Sequence, residues 1–168
     1  STTSYSATVS YTLSSGEGSK MVYVWFRDAA GNISMAASDT IVYSIPKGPT
    51  QVCGDVYDGQ GGPWILAGSP YNVTCDINVP QGKTLTIEPG VEVHFAGKYG
   101  IDVFGALVAN GAESLKILFT SGRTTQARGD WKSVYFEPGG GASVMNHCIV
   151  EYGGGDTSWG WANIAISG

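Results

Sequence analysis

Glu92 and His94 stand two residues apart in GVEVHF, on the opposite parity from Val91, Val93 and Phe95. In an extended strand that alternation turns the apolar set inward and the Glu/His pair outward. A carboxylate beside an imidazole can take up and return a proton near neutral pH. No third group lies close in sequence to orient the pair, so decoration of a solvated face competes with acid–base catalysis. His147 and Cys148 read as a base next to a nucleophile. As neighbours in a strand they point to opposite faces, which keeps them apart.

The acids Asp55, Asp58, Asp76, Glu88, Asp102 and Asp130 are scattered, and none has the D-x-D-x-D-G spacing of a calcium loop. Asp55 and Asp58, in a glycine-rich stretch, could join main-chain carbonyls around a calcium ion; no other cofactor is expected. Trp131, Trp159 and Trp161, with Tyr152, offer flat rings on which a sugar could stack. Their competing role is to fill the interior of stacked strands. Asn32-Ile33-Ser34 and Asn72-Val73-Thr74 match the N-glycosylation tripeptide, which also arises by chance.

These residues are carried on a run of short strands. Residues 82–121 read GKTLTIEPGVEVHFAGKYGIDVFGALVANGAESLKILFTS, alternating between tight glycine turns. Leu85 and Ile87, Val91, Val93 and Phe95, Ile101 and Val103, Leu107 and Ala109, and Ile117 and Phe119 keep the period of two. Each strand is about five residues long, and no helical spacing is long enough to cover a sheet. Strands this short must stack, and the next turn of the same chain is the most economical partner: a β-solenoid. DINVPQGKTLTIEPGVEVHF reads as one turn and YGIDVFGALVANG through LKILFTS as the next. SVYFEP with SVMNHCIVEYGG makes a third, and ANIAISG starts a fourth. Anchored on Thr84, Ile101, Ser133 and Asn163, the repeat is 17, 32 and 30 residues, the first interval shortened where a cap merges with the first turn. SGRTTQARGDW is expected to project as a loop.

The 168 residues suffice for one solid domain or two small ones, and 25 glycines with only 14% charged residues suit an all-β chain with many turns. A net charge of -5 with no basic cluster argues against nucleic acid as a partner. The longest apolar runs fall short of a membrane span, so no membrane insertion is expected. With no initiator Met or leader, the chain reads as a mature product or an excised piece. Cys53 and Cys75 bracket a loop-rich segment. A disulfide between them would close about 23 residues, stabilise by roughly 3 kcal/mol, and imply an oxidising compartment. Cys148 reads as a small buried hydrophobe.

Taken in order, residues 1–45 hold three strand-like runs: SATVSYTLS, MVYVWF and ISMAASDTIVYS. DAAGN between the last two predicts a hairpin. KMVYVWFRDAAGNIS resembles the last hairpin of bacterial immunoglobulin-like and fibronectin-III-like domains, of which only the C-terminal strands are present. Residues 46–50 form a proline-stiffened linker. Residues 51–75 read as a cap for an exposed strand end, and residues 76–168 as coils. LTIEPGVEVHF, GALVANG, ILFTS and GDWKSVYF followed by HCIVEYGG resemble the opening coils of right-handed parallel β-helix proteins of the pectin-lyase-like type. The likeness is closer still to large secreted or surface proteins that place such a helix after immunoglobulin-like modules. That resemblance implies lyases, hydrolases, adhesins or structural repeats alike. In the lyases, calcium-binding acids and a catalytic Arg or Lys line one external groove, and neither Arg123 nor Arg128 matches such a motif.

The fold class expected is therefore all-β, a partial immunoglobulin-like sandwich followed by the cap and first coils of a right-handed parallel β-helix. The function expected is a non-catalytic structural module, secreted or at the cell surface. Its rivals are the N-terminal part of a carbohydrate-active enzyme and a glycan-binding adhesin. Because the chain opens within a sandwich and stops on a strand, it reads as a fragment, or as one copy completed by others through strand addition or end-to-end stacking.

Overall fold

The computed structural model describes residues 11–13, 18–43, 48–155 and 162–167. The chain forms two compact units, Ser1–Ile45 and Pro46–Gly168. It is all-β, apart from a single 3-10 turn at Leu66–Gly68 among the described residues.

In the first unit, β1 (Gly18–Val24) and β2 (Ala37–Tyr43) pair antiparallel, with Met21 opposite Thr40 and Val24 opposite Ala37. The turn formers of DAAGN act as expected. Gly31 takes φ +93°, a conformation that costs glycine little. The Asp28 carboxylate accepts the main-chain N–H of Asn32 at 2.8 Å. Both faces of the hairpin expose apolar side chains, Met21, Tyr23 and Val42 on one and Val24 and Ile41 on the other. The strand expected over SATVSYTLS lies outside the described residues except at 11–13, which carry no strand.

The second unit runs through β3 (Thr50–Asp55), β4 (Tyr57–Asp58), β5 (Gly61–Gly62), β6 (Tyr71–Val79), β7 (Thr84–Ile87) and β8 (Glu92–Phe95). It continues with β9 (Ile101–Val103), β10 (Ala106–Asn110), β11 (Ile117–Ser121) and β12 (Val134–Phe136). β13 (Val144–Asn146), β14 (Cys148–Val150) and β15 (Ile164–Ile166) complete it. Every pairing between these strands is parallel, and apart from the short β4–β5 pair each strand pairs with its counterpart one turn of chain away.

Three columns result. Tyr71, Val93, Phe119 and Val150 lie in register in the first. Ile77, Ile101, Val134 and Ile164 do so in the second. Ile87, Ala109 and Met145 form the third, with Trp64 bridged to Ile87 ahead of them. The long strand β6 serves two columns, pairing with β8 through its first residues and with β9 through its last. Leu85, Ile87, Val91, Val93, Phe95, Ile101, Val103, Leu107, Ala109, Ile117 and Phe119, which alternation turned inward, are all buried.

The second column corrects the repeat. Ile101 pairs with Ile77, not with Thr84, so the chain returns after 24, 33 and 30 residues, and the first interval, though the shortest, is 24 residues and not 17. Thr84 belongs to the third column, where it faces Ala106. β3, within the stretch expected to cap the stack, already runs in register with β6, with a bulge between Val52 and Gly54.

Turn lengths differ from corner to corner, and close backbone contacts hold the short ones. Between β9 and β10 only Phe104 and Gly105 intervene. A Cβ on Gly105 would strike the carbonyl oxygens of Lys83 and Pro80 in the turn below, so only glycine fits there.

Candidate functional site

Of the acids singled out by type, Asp55, Asp58, Asp76 and Glu88 are bound to a different turn of the chain, and Asp130 is the exception. Asp55 Oδ1 accepts from Asn78 Nδ2 at 2.7 Å. Asp58 accepts twice from Thr86, from the main-chain N–H at 2.8 Å and the hydroxyl at 2.6 Å. Asp76 accepts from the Gly100 N–H at 2.9 Å and pairs with Lys132 Nζ at 2.8 Å. Leu66 donates its N–H to Glu88 Oε2 at 3.2 Å. Asp102 lies in register between Asn78 and Tyr135 on the outer side of the second column. Asp55 and Asp58 are thus held by separate partners, and among the described residues no group of three or more His, Cys, Asp or Glu could hold a metal ion.

Asp130, the exception, organises its own loop. It is only 7% exposed, and its Oδ2 accepts from the Ser121 hydroxyl at 2.7 Å and the Ala127 N–H at 2.8 Å. The Ala127 hydrogen bond, then that of Ser121, holds this carboxyl below the usual carboxylate range, against a smaller opposing effect of burial. Arg123, 3.7 Å away, and Lys98 add to the lowering. Gln126 completes the tie by donating to the Ser121 carbonyl at 2.7 Å. Residues 122–128 are exposed as the projecting loop required, but Asp130 and Trp131 turn back into the protein.

Trp131 therefore cannot serve as a sugar platform, which corrects one of the three tryptophans proposed for stacking. Its ring is 0% exposed and lies on Phe95, with centroids 4.0 Å and planes 1° apart. Its Nε1–H donates to the Glu151 carbonyl at 2.8 Å. Ser121 follows Phe95 in the column and is too small to cover that ring; Trp131 supplies the missing area. Gly153 leaves room on the far side, since a Cβ there would sit 3.0 Å from the indole. Trp159 and Trp161 lie outside the described residues. Tyr152 is half-buried against the core at φ +61°.

Glu92 and His94 meet on the outer face of β8, where Nε2 of His94 and Oε2 of Glu92 are 3.0 Å apart. In register beside His94 stand Asn72 and Thr120. Thr120 donates to Glu151 Oε1 at 2.9 Å. Among the described residues this pair is the one place on the stack where a carboxylate and an imidazole meet. The neighbouring amide and hydroxyl form a polar ladder beside it.

His147 takes φ +48° at the corner between β13 and β14 and is exposed, so it is a corner residue and not a strand residue. The Cys148 thiol donates instead to the carbonyls of Asn146 at 3.4 Å and Ala109 at 3.5 Å. Burial pushes this half-buried thiol up to about 11, which leaves it protonated and weakly nucleophilic at neutral pH.

Cys53 and Cys75 form a disulfide across β3 and β6, which indicates a non-cytoplasmic environment. Among the described residues no helix is long and apolar enough to cross a membrane.

Residue type alone missed two inter-turn ties. Asn146 donates to Asn110 Oδ1 at 3.2 Å, and both residues end strands of the third column. Alignment of Ala109-Asn110 with Met145-Asn146 would have exposed that pair. The Thr120–Glu151 bond would have emerged in the same way, from aligning Ile117-Leu118-Phe119-Thr120 with Cys148-Ile149-Val150-Glu151.

No family model matches the chain, and no solved structure matches it. A curated relative, the Drosophila melanogaster protein "bark beetle", is 32% identical over 103 residues, 61% of this chain. The matched region is 3% of that much longer protein.

Proposed function

We propose that the chain is a non-catalytic structural part of an extracellular or cell-surface protein. In this reading residues 51–168 are the capped opening of a right-handed parallel β-helix of the pectin-lyase-like type, serving as a rigid rod. Residues 1–45 are the C-terminal strands of an immunoglobulin-like spacer. The observation that carries the reading is the use made of the acids. Asp55, Asp58, Asp76 and Glu88 each tie one turn to another, so the groups that could act on a substrate fasten the stack. Among the described residues no third acidic, histidine or cysteine group converges on the outward Glu92–His94 pair, and Trp131 is inside.

The test is turnover. The chain should release no reducing ends or unsaturated products from acidic or neutral polysaccharides. Activity that vanished on Glu92→Gln or His94→Ala would replace this reading with that of a carbohydrate-active enzyme.

A further inference from the structure

The sequon Asn32-Ile33-Ser34 lies at the tip of the β1–β2 hairpin, and the role proposed for the stack makes no use of it. Asp28 shapes this tip. Its Oδ1 accepts the Asn32 main-chain N–H and its Oδ2 accepts the Asn32 side-chain amide, each at 2.8 Å. The main chain closes the same turn, with Asp28 N–H donating to the Asn32 carbonyl at 3.0 Å and Gly31 N–H to the Asp28 carbonyl at 3.1 Å. An asparagine amide carries two hydrogens. Asp28 engages one of them, and glycosylation replaces one, so a glycosylated Asn32 keeps a hydrogen for Asp28 and the turn survives.

The other sequon is placed differently. Asn72 is half-buried near the start of β6, paired with Gln51 on one side and His94 on the other. The Thr74 hydroxyl donates to the Val52 carbonyl at 3.3 Å. Asn72 and Val73 are paired on both edges of β6, whereas Asn32 is in a turn.

We infer that Asn32 is an acceptor for an N-linked oligosaccharide. The donor is an oligosaccharide on a polyprenyl diphosphate, supplied with its transferase by the secretory compartment. Asn32 Nδ2 forms a bond to the anomeric carbon as the bond from that carbon to the diphosphate oxygen breaks. The polyprenyl diphosphate leaves, and one amide proton passes to a base of the transferase. The inference rests on the extracellular reading for the compartment alone.

The test uses the 168-residue chain with Asn72→Gln, sent through a eukaryotic secretory pathway by a leader, so that a single sequon remains. The expected product carries one oligosaccharide, released by a peptide N-glycosidase with conversion of Asn32 to aspartate. Ser34→Thr should keep the sugar, and Asn32→Gln and Ser34→Ala should each abolish it. A secreted product of bare-chain mass, or a sugar that survives Asn32→Gln, would overturn the assignment. Sugar on a chain whose Cys53 and Cys75 stay reduced would support the acceptor while counting against the oxidising compartment.

Discussion

Cys148 shows how a reactive group is turned into packing. Its sulfur sits against the core on the parity of Val150, directed at two carbonyls, while His147 swings out at the corner. Burial raises the thiol to about 11, so the unfolded chain releases this proton before the folded one does. Stability is therefore complete below the ordinary thiol range and declines as pH rises through it toward 11. Denaturant titrations from pH 8 to 11 should show that decline in the native chain and a smaller one in Cys148→Ala. Equal slopes would mean that the thiol is as solvated when folded as when unfolded. The inward set from Leu85 to Phe119 was legible in the sequence because period-two alternation depends only on neighbours. Trp131 was not, since it follows a run of exposed polar loop residues and nothing local marks the gap above Phe95 that it fills.

Among the elements, the corner loops differ most from turn to turn, and the loop before β12 is pinned most firmly. Asp130 closes it, Trp131 anchors it on Phe95, and Gly153 of the following turn makes room. Trp131→Ala should cost about 3–5 kcal/mol, as large aromatic truncations in packed cores do. Gly153→Ala should cost about 1–3 kcal/mol through overpacking, with its new Cβ 2.8 Å from Asn163 Oδ1 and 3.0 Å from the indole. Both are read from denaturant midpoints, and a Trp131→Ala loss below 1 kcal/mol would show that the ring is not a structural filler. The strands and their glycine turns could be read from the sequence, but their register could not. Insertions of different length at the corners hide which residue lies above which, and so Thr84 was a plausible anchor where Ile77 is the true one.

For the whole molecule, the side chains with the chemistry to react are spent mostly on joining one turn to another. The candidate acids were legible as residue types, whereas the partners of Asp55, Asp58, Asp76 and Glu88, 22 to 56 positions away, emerge only once the turns are stacked. The central claim is thus the parallel stack itself, and cross-strand nuclear Overhauser effects between selectively labelled methyl groups test it most directly. The structure predicts contacts between Ile77 and Ile101 and between Ile101 and Val134, and likewise between Leu85 and Leu107. Contacts that instead linked consecutive strands as antiparallel hairpins, such as β7 with β8, would contradict the stack and the structural role built on it.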